Sequence, residues 1–123
     1  MILVDTSVWI DHLRADDETL ASLLGAGRVL VHPFVTGELA LGSLRQRALV
    51  LRALHRLPQP AVATHQEVMR FIDQQALFGL GIGYVDAHLL AAVRLTPDAS
   101  LWTRDTQLLA AARRLGVAAL LPH

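Results

Sequence analysis

The chain has no cysteine and no lysine. The first absence excludes a disulfide framework and any thiolate-ligated metal. It also fits a reducing compartment, and the cytoplasm is the location expected. The second absence excludes a P-loop, whose lysine reaches the phosphates. It tells equally against a phosphoacceptor receiver domain, which places acids at strand ends but usually relies on a lysine at that edge. All 11 basic residues are arginine, and 11 acids balance them to a formal net charge of zero. The bulk count therefore carries no basic excess of the kind that marks tight nucleic-acid binding. No apolar run reaches the roughly 18 residues of a membrane span. No basic segment precedes the apolar start, so neither a membrane segment nor a secretory signal is expected.

What is present is a chain of 123 residues, 53% hydrophobic. That is too apolar for disorder and long enough to bury a core, and one domain over residues 1–123 is expected. Short apolar runs alternate with segments of helical period. "MILVD", "RVLVHP", "SLWT" and "VAALL" read as strands. "TSVWIDHLR", "DDETLASLLGAG", "TGELALGSL", "RQRALVLRALHRL", "QEVMRFIDQQALFG", "VDAHLLAAVRLT" and "DTQLLAAARRLG" read as helices, several with an acidic start and a glycine stop. "PQPAVATH" reads as a break with a short edge strand. Strands separated by helices predict an α/β domain with a mostly parallel central sheet.

In such a sheet the strand C-termini and helix N-termini share one edge, where open α/β folds bind ligands. Asp5 ends the first strand, Glu38 lies about one turn into the helix after the second, Asp86 opens the helix after "GLGIG", and Asp105 follows "SLWT". All four are placed on that edge, whereas Asp16, Asp17, Glu18 and Asp98 read as solvated turn residues. Taken singly, Asp86 and Asp105 suit ordinary helix capping. Glu38 sits among apolar neighbours, and a carboxylate at a buried strand end such as Asp5 needs a partner. As a set, four carboxylates repel one another, and a hard divalent cation removes that cost. Oxygen donors without sulfur suit Mg²⁺ or Mn²⁺. Ser7 and Thr103, hydroxyls within two residues of Asp5 and Asp105, are candidates to orient carboxylates or water.

"MILVDTSVWID", "GELALG", "GIGYVDAHLLAA" and "LWTRDTQL" closely resemble, in order and spacing, the four motifs of PIN-domain ribonucleases, specifically the VapC-like toxins of toxin–antitoxin pairs. The resemblance covers essentially the whole chain. It implies a three-layer α/β/α Rossmann-like fold and Mg²⁺- or Mn²⁺-dependent endonucleolytic cleavage of RNA. It makes Asp5, Glu38, Asp86 and Asp105 the acidic quartet, with Thr6 or Ser7 and Thr103 in support. It further implies a homodimer, and a cognate antitoxin whose tail enters the acidic groove.

The remaining candidates weigh less. Arg45, Arg52 and Arg56, spaced by seven and four, would share one helical face, solvated or turned to RNA phosphates. Arg104, between Thr103 and Asp105, is the better candidate for contact with RNA or an antitoxin carboxylate. His12 and His88 match no zinc spacing and read as ordinary histidines. Trp9 and Trp102 read as core or dimer contacts, with base stacking as the alternative. "GLGIG" lacks the preceding strand of a dinucleotide fingerprint and reads as a tight turn. Two rivals stay open. One is a non-catalytic α/β module whose acidic edge binds a basic peptide; the other is a metal-dependent DNA nuclease.

Overall fold

A computed structural model describes residues 1–121. Its three strands are β1 (Ile2–Val4), β2 (Val29–Leu30) and β3 (Ser100–Trp102). Its helices are α1 (Thr6–Arg14), α2 (Glu18–Gly25), α3 (Pro33–Ala40), α4 (Arg47–His55), α5 (His65–Gln74), α6 (Tyr84–Leu95) and α7 (Thr106–Arg114). The sheet order is β2-β1-β3, and both pairings are parallel. Leu3 is level with Leu30 on one side and Leu101 on the other.

Successive strand residues point to opposite faces of a sheet. Ile2, Leu3 and Val4 are nevertheless all buried, so helices cover both faces and the architecture is the three-layer α/β arrangement expected. The most enclosed helix is α6, buried continuously from Ala87 to Val93. Its small residues let it lie close to β3 and α5. None of the described helices is long and apolar enough to cross a membrane.

The structure departs from the sequence reading at several places. "VAALL" supplies no full strand; Ala118 makes one parallel bridge to Leu101, flanked by hydrogen bonds from Leu101 to Val117 and from Ala119 to Leu101. Residues 58–64 are irregular rather than an edge strand, although the Pro58 carbonyl accepts the Val31 amide. α3 begins at Pro33, because a proline at the first helical position costs no hydrogen bond. α4 begins only at Arg47, since Gln46 takes a left-handed φ of 50°. Arg45 therefore lies outside the helix and does not share a face with Arg52 and Arg56. Ala48 is exposed, and Val50, Leu51, Leu54 and Leu57 pack toward the core. α5 stops at Gln74 rather than at Gly79, and Ala76 takes a φ of 52° in the turn beyond it.

Candidate functional site

The site begins with a strand that runs out of partners. The Asp5 amide donates to the Trp102 carbonyl at 2.9 Å, extending the β1–β3 ladder by one residue. Asp5 then occupies the N-cap position of α1, yet its carboxylate caps nothing. It is only 6% exposed and its Oδ2 accepts two hydroxyls, from Ser7 and from Thr103, each at 2.7 Å. A buried carboxylate requires such donors. The predicted supporting role of Ser7 and Thr103 thus has a geometric counterpart. Thr6 turns the other way and donates to Oε1 of Glu38 at 2.8 Å, tying α1 to α3.

Asp105 and Asp86 sit at helix starts, and both engage their own backbone. Asp105 Oδ1 accepts the amides of Gln107 and Leu108, while the Asp105 amide donates to Thr103 Oγ1. Asp86 Oδ2 accepts the Gly83 amide at 2.9 Å. The capping reading of these two acids is therefore correct as far as it goes. Capping does not account for their mutual proximity: burial raises the pKa of Asp86, and the charges of Asp5, Asp105 and Glu38 raise it further against the opposing Gly83 bond. Four acids spread over a hundred residues of sequence share one electrostatic neighbourhood.

The donor set fits a hard divalent cation in type and charge, being all carboxylate and hydroxyl oxygen. The side chains do not yet form a cage. Among the described residues, no three Asp, Glu or His side chains converge on one point, and each carboxylate makes the hydrogen bonds given above. A magnesium ion retains much of its water and needs only one or two direct carboxylates, so the set suits a hydrated ion better than a stripped one.

Arg104, expected to contact RNA or an antitoxin, is also engaged within the chain. Its two terminal nitrogens pair with Asp11 at 2.7 Å and Asp17 at 2.5 Å, and its guanidinium carbon lies 5.5 Å from the centre of the Trp102 ring. Its amide donates to Ser7 Oγ at 3.1 Å. Arg104 thereby ties the α1–α2 connection to the segment that holds Asp5. Asp17 is consequently not the free turn residue expected. It caps α2 through the Leu20 amide, which lowers its pKa, and Arg104 reinforces that shift. The sequence signal for the cap was present, an acid three residues before the first buried leucine of a helix; the partner 87 residues away left none.

Two histidines, His12 and His32, hold backbone amides. His12 Nδ1 accepts the Asp17 amide. His32 is fully buried; its Nδ1 accepts the Phe34 amide at 3.0 Å, and burial with the nearby His88 pushes its pKa down to about 4. Trp9 is buried in the core.

A parallel α/β sheet whose strand ends gather four carboxylates defines a class of domain, and comparison with known families agrees. The PIN domain family matches residues 2–114, and the chain belongs to that family. Two curated relatives, each named Ribonuclease VapC32 and coming from two strains of Mycobacterium tuberculosis, are 54% identical over 118 residues. That span is 96% of this chain and 95% of theirs. No solved structure gives a significant match.

Proposed function

We propose that this protein is an endoribonuclease, the toxin of a toxin–antitoxin pair, and that Asp5, Glu38, Asp86 and Asp105 form its active site. What carries this reading is the match of residues 2–114 to the PIN domain family; the raised pKa of Asp86, set by burial and by the charges of Asp5, Asp105 and Glu38, supports it. The naming of the mycobacterial relatives as ribonucleases supports the substrate class.

The four acids would hold Mg²⁺ or Mn²⁺. Such an ion supplies Lewis acidity and a bound water that is acidic enough to attack near neutral pH. The chain's own residues do the positioning. Ser7 and Thr103 hold the Asp5 carboxylate in place, and Thr6 fixes Glu38. The N-termini of α6 and α7 present their positive dipole ends where a scissile phosphate would lie. No side chain is needed as a covalent nucleophile, so water hydrolysis should leave 5′-phosphate and 3′-hydroxyl ends. A cognate antitoxin, a homodimeric assembly and a cytoplasmic location complete the reading.

The deciding experiment is Mg²⁺-dependent digestion of total cellular RNA beside single-stranded DNA, with Asp5→Asn as control. RNA should be cut, DNA spared, and the variant inert but folded. Cleavage by Asp5→Asn at the parent rate would reject the mechanism. The carboxylates' present engagement with their own backbone favours one alternative, an acidic edge that only docks a basic peptide. Calorimetric titration separates the two, since that alternative predicts no Mg²⁺ or Mn²⁺ binding that depends on the quartet.

A further inference from the structure

A cavity of about 440 Å³ opens between the start of α2, the end of β3, α7 and the segment Ala118–Leu121. Its wall includes Trp102, Arg104, Arg113, Asp17 and Leu109, together with Thr103, whose hydroxyl holds Asp5. Trp102 precedes Asp105 by three residues, so their Cα atoms are at most about 11 Å apart. The cavity is therefore within reach of a nucleotide neighbouring a phosphate bound at the acids.

Its chemistry is that of a base-binding pocket. The Arg104 guanidinium is a flat surface backed by an indole. Its terminal nitrogens are committed to Asp11 and Asp17, which spends its charge on the protein and leaves a plane suited to stacking. Arg113 is exposed and, among the described residues, makes no ion pair. It is the free cation at this cavity for a flanking phosphate. Unpaired bases are bound by proteins in this way, stacked on aromatic or guanidinium planes with a cation on the backbone.

We propose that this cavity is a nucleobase subsite of the ribonuclease, with Trp102 and Arg104 as the stacking wall and Arg113 as the phosphate contact. The proposal rests on the ribonuclease reading and adds where the RNA beside the cleaved bond is gripped.

The test uses protein labelled with 5-fluorotryptophan in the Asp86→Asn background, so that RNA is bound without being cut. The two tryptophans give two ¹⁹F resonances, assigned with Trp102→Phe, and buried Trp9 serves as internal reference. Hexa-adenylate RNA should shift the Trp102 resonance saturably, and a hexamer of abasic ribose phosphates should not. Arg113→Ala should weaken the titration about ten-fold and, in the active parent, raise KM with little change in kcat. If the RNA binds by fluorescence anisotropy and the parent cuts it while the Trp102 resonance stays fixed, the subsite is rejected and the ribonuclease reading stands. If RNA is neither bound nor cut, the ribonuclease reading falls and the subsite with it.

Discussion

Thr103 and Asp5 are 98 residues apart in sequence, and the Thr103 hydroxyl donates to Asp5 Oδ2 at 2.7 Å in a buried bond. The Thr103 hydroxyl oxygen in turn accepts the amide of Asp105 at 3.1 Å. One threonine hydroxyl thus holds the carboxylate of Asp5 and the backbone of Asp105. Thr103→Val keeps the shape and removes the hydroxyl. It should cost about 2 kcal/mol of stability, the usual penalty for a lost hydrogen bond to a charge. RNA cleavage should fall about ten- to a hundred-fold, as for partners that orient ligating groups. Thr103→Ser should recover most of both. Urea melts and initial cleavage rates on the three proteins check this, and unchanged rates in the valine variant would remove Thr103 from the site.

Asp86 carries the charge repulsion of the cluster. Its pKa is raised in the folded state, chiefly by burial, so the native protein binds more protons there than the unfolded chain, and ionisation near neutral pH destabilises the fold. Asp86→Asn should therefore melt no lower, and by this reasoning higher, than the parent in EDTA at pH 7. Mg²⁺ should raise the parent's Tm and do so less in the variant. Thermal scans with and without the ion read both effects; a parent Tm indifferent to Mg²⁺ would argue against clustered acids.

His32 places an acid limit on the fold. It is fully buried, and its pKa is pushed from the ordinary 6.5 to about 4 by burial and by the neighbouring His88. Between those values the unfolded chain binds the proton and the native chain does not. The stability due to neutral His32 is therefore complete above about pH 6.5 and is lost as pH falls toward 4, a loss on the order of 3 kcal/mol. His32→Asn retains an acceptor for the Phe34 amide and cannot titrate. Denaturant midpoints between pH 5 and 6.5 should fall less steeply for the variant, and identical slopes would clear His32 of the effect.

Two glycines should respond in opposite directions. Gly81 has a φ of +76°, and a Cβ there would lie 2.5 Å from the Gln107 side-chain amide. Gln107 can swing aside, but the left-handed backbone cannot be relieved, so Gly81→Ala should destabilise by about 1 kcal/mol. Gly37 lies within α3 with open space around it, so Gly37→Ala should stabilise by about 0.5–1 kcal/mol. Equilibrium unfolding of the pair decides both signs.

Much of this molecule was legible in its sequence because the informative features are local. A strand is visible as an apolar run, a helix start as an acid or proline followed by periodic apolar residues, and an α/β order as the alternation of the two. Those rules place Asp5, Glu38, Asp86 and Asp105 at one edge without any knowledge of distance, since a parallel sheet has only one edge where strands end and helices begin. The sequence misled where backbone conformation overrode the apolar pattern. Gln46 turns left-handed and detaches Arg45 from α4, and the run from Val117 to Leu121 pairs only at Ala118.

Tertiary structure alone decided the pairings of single atoms across long separations. Arg104 reads as a free cation in sequence, and the fold spends its charge on Asp11 and Asp17. Asp5 reads as a helix cap or a ligand, and the fold buries it and gives it two hydroxyls instead of amides. Such choices depend on which side chains the packing of α1, α2 and β3 brings within about 3 Å, a distance at which hydrogen bonds form or fail. Periodicity sets which face of an element is buried. It carries no information about which partner a polar group finds there.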